Sequence, residues 1–254
     1  MMNKCIFHIA ALLVLLIVPG CVTVRGDQEP KPNPAAYHYQ MGLSYLGERN
    51  YTAALIDLTE AEKLDPDNPD VLYHLGMAYM GKKRPDLAEK RLQRAIILKP
   101  NYSIARNDLG VAYLELKRWD NAIHQFKIVK NDLFYDNSEN ATINLGLAYL
   151  GKGEYPAALN ELRSVAALNP RNPTVRLSLG RVLFAMDKTD QAIIEYGKTL
   201  EIYRDYGAAY YYLGQAQLKL NNIGAARAAF KEAVNLIPDT ELGRAALGYL
   251  DLLK

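Results

Sequence analysis

Seven glycines, each preceded by Leu or Met, recur through the chain at Gly42, Gly76, Gly110, Gly146, Gly180, Gly214 and Gly248, at intervals of 34, 34, 36, 34, 34 and 34 residues. A period of this length, held from residue 35 to the last residue, favours one continuous array over one or two closed globular domains. In an array each unit is a small supersecondary element that buries its apolar face against its neighbours. The units are 35–68, 69–102, 103–138, 139–172, 173–206 and 207–240, with 241–254 left over.

Within each unit the eighth position is Gly, the seventh is large and the eleventh is usually Tyr. The twentieth is Ala54, Ala88, Ala122, Ala158, Ala192 and Ala226, and the twenty-fourth is Leu, Phe or Tyr. Positions 4, 8 and 11 share one stripe of a helix. The spacing therefore predicts two antiparallel helices per unit, with Gly and the small Ala allowing close approach. Pro66, Pro100, Pro170 and Pro238 stop the second helix, because proline lacks a backbone donor and disfavours helix in the residue before it. The pattern weakens at Phe134, Leu183, Arg204 and Gln217, and the fifth unit is the least typical. The tail ELGRAALGYLDLLK repeats the motif through Leu247 and Gly248 and predicts a thirteenth helix that caps the last pair.

This pattern resembles the tetratricopeptide repeat. The resemblance implies an all-α tetratricopeptide-repeat solenoid of six helix pairs plus a C-terminal capping helix, with no sheet.

The segment ahead of the array has a different character. MMNKCIFHIAALLVLLIVPGC places Lys4 before an apolar run from Ile9 to Val18 and a small Gly20 before Cys21, the layout of a secretory signal. The run falls short of the about 20 helical residues needed to span a bilayer, which tells against the alternative of an uncleaved anchor. Val18-Pro19-Gly20-Cys21 resembles a bacterial lipoprotein box, with Pro19 in place of the usual small or aliphatic residue. The resemblance implies a signal peptide over 1–20, lipidation of Cys21, loss of Cys5 with the signal, and a lipidated N-terminus and flexible tether over 21–34. The tether reaches roughly 40 Å at about 3.3 Å per residue. Val22 stands where aspartate resembles an inner-membrane retention signal, so the expected location is the periplasmic face of the outer membrane.

Little in the chain points to catalysis. With 30 basic and 28 acidic residues there is no basic footprint for nucleic acid. GLAYLGKG at 146–153 and GMAYMGKK at 76–83 approach a phosphate-binding loop, but lack its Ser or Thr and follow no strand. In the repeat these strings are the end of a first helix and its turn. His38, His74 and His124 occupy unrelated positions with no nearby thiol, and no serine sits in a nucleophile elbow. The expectation is a chain with no catalytic residue, metal, cofactor or small-molecule substrate.

What remains is surface. In repeats of this kind positions 5, 9 and 12 of each first helix line a groove. Here they are Tyr39, Leu43, Leu46; Tyr73, Met77, Met80; Asn107, Val111, Leu114; Ile143, Leu147, Leu150; Leu177, Arg181, Phe184; and Tyr211, Gln215, Leu218. In the first four units all but Asn107 are apolar, which marks a site for a helical or apolar protein segment. The groove lacks the paired Lys and Asn of chaperone-binding repeats that grip a C-terminal carboxylate.

A lipid-tethered periplasmic solenoid of six units resembles the pilotin lipoproteins of type IV pilus systems. That resemblance implies binding to a secretin, the ring-forming outer-membrane channel, and help in its localisation or assembly. It extends to the one long interval: NDLFYDNSENATINLGL matches a longer connection between the third and fourth units of that family. The two extra residues are expected to alter the curvature of the groove, with Phe134 and Tyr135 packed beneath the connection. The competing expectation is a lipoprotein adaptor that docks periplasmic proteases or peptidoglycan hydrolases on the same architecture.

Overall fold

The computed structural model describes residues 33–253. Cys5, Cys21, the 1–20 signal and all but the end of the tether lie outside the described residues. Asn33–Lys254 form one compact unit. Among the described residues there are thirteen α-helices and no strand: α1 (Pro34–Gly47), α2 (Tyr51–Leu64), α3 (Pro69–Gly81), α4 (Pro85–Leu98), α5 (Ser103–Glu115), α6 (Trp119–Lys130), α7 (Ser138–Lys152), α8 (Tyr155–Leu168), α9 (Pro173–Ala185), α10 (Thr189–Ile202), α11 (Gly207–Lys219), α12 (Ile223–Leu236) and α13 (Glu241–Leu252). None of these helices is long and apolar enough to cross a membrane.

Helix starts are written plainly. Asn33, Asn68 and Asn172 each precede a proline, and each side-chain oxygen accepts backbone N–H groups of the first turn. Asparagine satisfies donors the helix cannot, while proline fills a first-turn position that needs no donor. The turn inside every pair also repeats. Its fifteenth position adopts a left-handed conformation at Arg49, Lys83, Lys117, Gly153, Asp187 and Asn221, with φ between 56 and 85°. Glycine alone takes such a φ without steric cost, and only Gly153 of the six is glycine. Gly146–Gly153, the string that approached a phosphate loop, is α7 and this turn.

The repeated glycine works as the spacing predicts, with one refinement. A Cβ on Gly42 would lie 2.5 Å from Leu58 Cγ, and one on Gly110 would lie 2.5 Å from Phe126 Cε1. Gly76, Gly146, Gly180 and Gly214 face Leu92, Leu162, Tyr196 and Phe230 in the same way. The side chain that fills the glycine's space is thus the one at position 24. The alanines at position 20 are all fully buried beside it. On α13, a Cβ on Gly248 would meet nothing within 4 Å. Proline is not the sole stop either: α10 has Arg204 in the proline's place and still ends at position 30, like α2, α4, α8 and α12.

Between units the first helices lie on the inside. The backbone of each first helix lies close to the next first helix as well as to its own partner, whereas successive second helices stand farther apart and meet through long side chains, as in Arg91–Glu62 at 3.1 Å and Lys130–Glu161 at 2.5 Å. The stack therefore curves with α1, α3, α5, α7, α9 and α11 along the concave face. Four buried clusters follow one another from α2 to α13, and one of them runs unbroken from α3 to α7.

That unbroken cluster crosses the long connection. α6 ends two residues early, at Lys130, and α7 starts on Ser138, so residues 131–137 form the link. The α6–α7 contact is the most extensive of all contacts between successive units. Trp119 covers Gly151, where a Cβ would come within 2.7 Å of the indole. Lys152 pairs with Asp120 at 2.8 Å and Lys130 with Glu161 at 2.5 Å. The expectation that both aromatics of the link pack beneath it is corrected here. Tyr135 is half-buried, but Phe134 is 94 % exposed and Leu133 95 %. Phe134 stands at the edge of a pocket shared with Pro100 and Ile128 and does not fill it.

Candidate protein-binding groove

The twelve groove positions of the first four units divide by depth. Leu43, Leu46, Met80, Val111, Leu114, Leu147 and Leu150 are half-buried, as are Tyr39 and Asn107, and Met77 is exposed. Tyr73 and Ile143 are buried, at 5 % and 2 % exposure, and belong to the core. Position 5 points down between neighbouring first helices, so in these two units it is floor and not wall. Positions 9 and 12 stay open to the groove in all four units.

A pocket opens in the groove over units one to three. It holds about 390 Å³ and is lined by Leu46, Gly47, Met77, Met80, Gly81 and Val111, with Arg49 and Tyr51 from the first turn and Asp108 from α5. Tyr51 packs on Gly81 of the next unit, which brings its ring to the pocket's edge. Most of this lining is apolar, and two of its members are methionines, whose flexible thioethers adapt to irregular partners.

Asp108, Arg49 and Tyr51 were not among the positions expected from the sequence. A signal existed for the first: position 6 is polar in every unit, as Gln40, His74, Asp108, Asn144, Ser178 and Tyr212. These residues form a polar strip beside the apolar one. His74 Nδ1 donates to the Asp70 carbonyl at 2.7 Å, so that nitrogen carries the proton, and the Tyr39 hydroxyl stands 3.2 Å from it. The Tyr102 hydroxyl donates to the Asp70 carboxylate, which lowers the Asp70 pKa, and Lys99 at 3.3 Å adds to the effect. The Asp108 carboxylate accepts from the Tyr73 hydroxyl and from Asn107 Nδ2 at 3.2 Å, and Asn144 donates to Asn107 at 3.4 Å. Burial nevertheless raises the Asp108 pKa, because two neutral donors do not replace the water it loses. Burial raises the Tyr73 phenol as well.

Over the last two units positions 9 and 12, Arg181, Phe184, Gln215 and Leu218, are half-buried as before, but polar groups there engage neighbouring side chains. Leu177 and Tyr211 are buried. The Arg181 guanidinium lies 5.1 Å from the Tyr212 ring and Lys219 Nζ 4.7 Å from the Phe184 ring. Gln215 donates to the hydroxyls of Tyr211, at 3.0 Å, and Tyr249, at 3.3 Å. Among the described residues, no group of three or more His, Cys, Asp or Glu side chains is placed to hold a metal ion.

The helix pairs, the clasped glycines and the inner face of first helices agree with the family comparison. One tetratricopeptide-repeat model matches residues 45–103 and 149–205 and a second matches 207–240, together more than half of the chain. The chain belongs to the tetratricopeptide-repeat family. Such repeats are protein-interaction modules. The matched spans leave out 104–148, the stretch that holds the long connection. No curated protein matches this tetratricopeptide-repeat chain in sequence. Solved structures do match its fold. PilF of Pseudomonas aeruginosa superposes with a TM-score of 0.64 at 19 % identity, over 85 % of this chain and 97 % of that one. PilW, a type IV pilus biogenesis factor, gives 0.72 at 20 % identity, over 84 % and 98 %. A tetratricopeptide-repeat protein from Parabacteroides merdae gives 0.75 at 17 % identity, over 89 % and 86 %. At these identities the likeness is one of fold.

Proposed function

We propose that this tetratricopeptide-repeat protein is a non-enzymatic scaffold, anchored through Cys21 on the periplasmic face of the outer membrane, that acts as a pilotin in type IV pilus biogenesis. Its groove takes an apolar or helical segment of a secretin and helps that channel reach or assemble in the membrane. The observation that carries this is the open apolar strip of units one to four, from Leu43 to Leu150. Two others support it. The fold matches PilF and PilW over nearly their whole length, and the sequence ahead of the array resembles a lipoprotein signal.

The test is deletion of the gene in the bacterium that carries it. The expected result is loss of secretin multimers from outer-membrane fractions, restored by the wild-type chain. Cys21→Ser is expected to leave a chain absent from the outer-membrane fraction and to restore multimers poorly. Wild-type multimers in the deletion strain would refute the pilotin role, and wild-type fractionation of Cys21→Ser would refute the lipid anchor.

A further inference from the structure

We propose that the long connection of one molecule docks into the groove pocket of a second copy of this chain. Leu133 and Phe134 are adjacent and are the two most exposed large apolar side chains among the described residues. Single exposed apolar residues are ordinary, but a Leu-Phe pair on a link that breaks the repeat is not. The pair is also held in place. Asp132 accepts the Phe134 amide at 3.0 Å and the Ser103 hydroxyl, and the Tyr135 amide donates to the Asp132 carbonyl at 3.2 Å. A link fixed in this way loses little conformational freedom on docking.

The chain itself displays a cleft of the matching chemistry. The pocket has apolar walls in Leu46, Met77, Met80 and Val111, with one cation, Arg49, and one carboxylate, Asp108, in its lining, and Asp108 is already engaged by the Tyr73 hydroxyl and Asn107 Nδ2. The exposed pair is flanked by Asp132 and Asp136. Apolar side chains thus meet apolar walls while carboxylates meet a guanidinium. A molecule does not fill its own pocket, since both side chains stand in solvent. A knob on one surface and a socket on another make a heterologous contact, which extends from copy to copy and does not close into a dimer. If the groove is also the partner site, as proposed above, partner binding and self-association exclude each other.

The experiment is sedimentation equilibrium on the purified chain from residue 21 onward, carrying Cys21→Ser. The expected result is an average mass that rises with concentration past that of a dimer. Leu133→Ser with Phe134→Ser, and separately Met77→Asp, are each expected to weaken association at least about tenfold. Mixed together, the two variants retain one knob and one socket, and are expected to give a 1:1 heterodimer that grows no further. Phe134→Leu is expected to keep most of the association. If circular dichroism shows Met77→Asp unfolded, Arg49→Glu tests the socket instead. A mass that stays monomeric to about 0.5 mM, the weak end of specific contacts, overturns the proposal. So does association that survives both single-site variants, or a mixture that yields no heterodimer. None of these outcomes depends on the identity of the pilus partner.

Discussion

The first four units and the last two share one frame, one turn and one glycine clasp, yet they line the inner surface with different chemistry. In the last two, Arg181, Gln215 and Lys219 lie on or bond to the aromatic groups around them, so the surface is satisfied from within. In the first four, the equivalent positions carry aliphatic and thioether side chains that nothing in the chain covers fully. Because the cores match, this difference does not arise from folding. It lies in which residues were placed at positions 9 and 12, and it divides a solenoid of uniform construction into an apolar half, open to a partner, and a closed half whose polar groups engage one another at the same half-burial.

The strongest challenge to that division is that the open half is simply less well packed. Leu92→Ala and Phe230→Ala, both fully buried against a frame glycine, are each expected to cost about 2–5 kcal/mol, read by urea denaturation. A cost near zero for Leu92→Ala alone would mean that the open half is loose and not open. Next in size is binding. Met77→Asp with Leu147→Asp is expected to remove about 2 kcal/mol or more of affinity for a secretin segment, some thirtyfold. Arg181→Ala with Gln215→Ala is expected to leave affinity within about threefold, a change of some 0.7 kcal/mol. Calorimetric titration of both pairs decides it, and equal losses would abolish the distinction.

A smaller effect sharpens the account of the closed half. The Tyr196 hydroxyl is buried without a partner, and unsatisfied buried polar groups cost about 1–3 kcal/mol. Tyr196→Phe is therefore expected to stabilise the chain by about 1 kcal/mol, with a higher melting temperature. In the open half the corresponding polar group is Asp108. Its folded pKa is raised by burial, so the folded chain holds that proton to higher pH than the unfolded chain, which releases it near about 4. Stability is then expected to fall as pH rises from there through the raised value. Asp108→Asn is expected to flatten that fall, and denaturation curves across the acid range would measure it. A steeper fall in the variant would reverse the assignment.

Much of this was legible in the sequence because the informative residues obey the period. Glycine at position 8, alanine at 20 and a large side chain at 24 fix where two helices meet, and positions 9 and 12 follow from helical geometry. Depth at position 5 was not legible, since whether Tyr73 is floor or wall depends on how closely α5 approaches α3. Nor was the left-handed turn, which Arg49, Lys83 and Lys117 adopt against their own preference because the helices on either side leave no other path. Leu133 and Phe134 escaped for a third reason. Aromatic composition argues for burial, but burial depends on how the link is laid over its neighbours, which the repeat does not specify where its period breaks.

The inward placement of the first helices has a mechanical consequence. With backbones close along the inner face and successive outer helices joined only by long side chains, such as Arg91–Glu62 and Lys130–Glu161, the array is hinged like the spine of a book. Bending that spreads the outer helices strains side-chain ion pairs between them, whereas bending the other way compresses the inner stack. Compliance is therefore one-sided, and a ligand that fills the groove acts as a wedge that fixes the curvature. The α8–α9 contact is the slightest between successive units and lies where the open half meets the closed one. Under tension applied to the two ends the hinge is expected to yield there first, and single-molecule pulling would show the last two units and α13 separating from the other four.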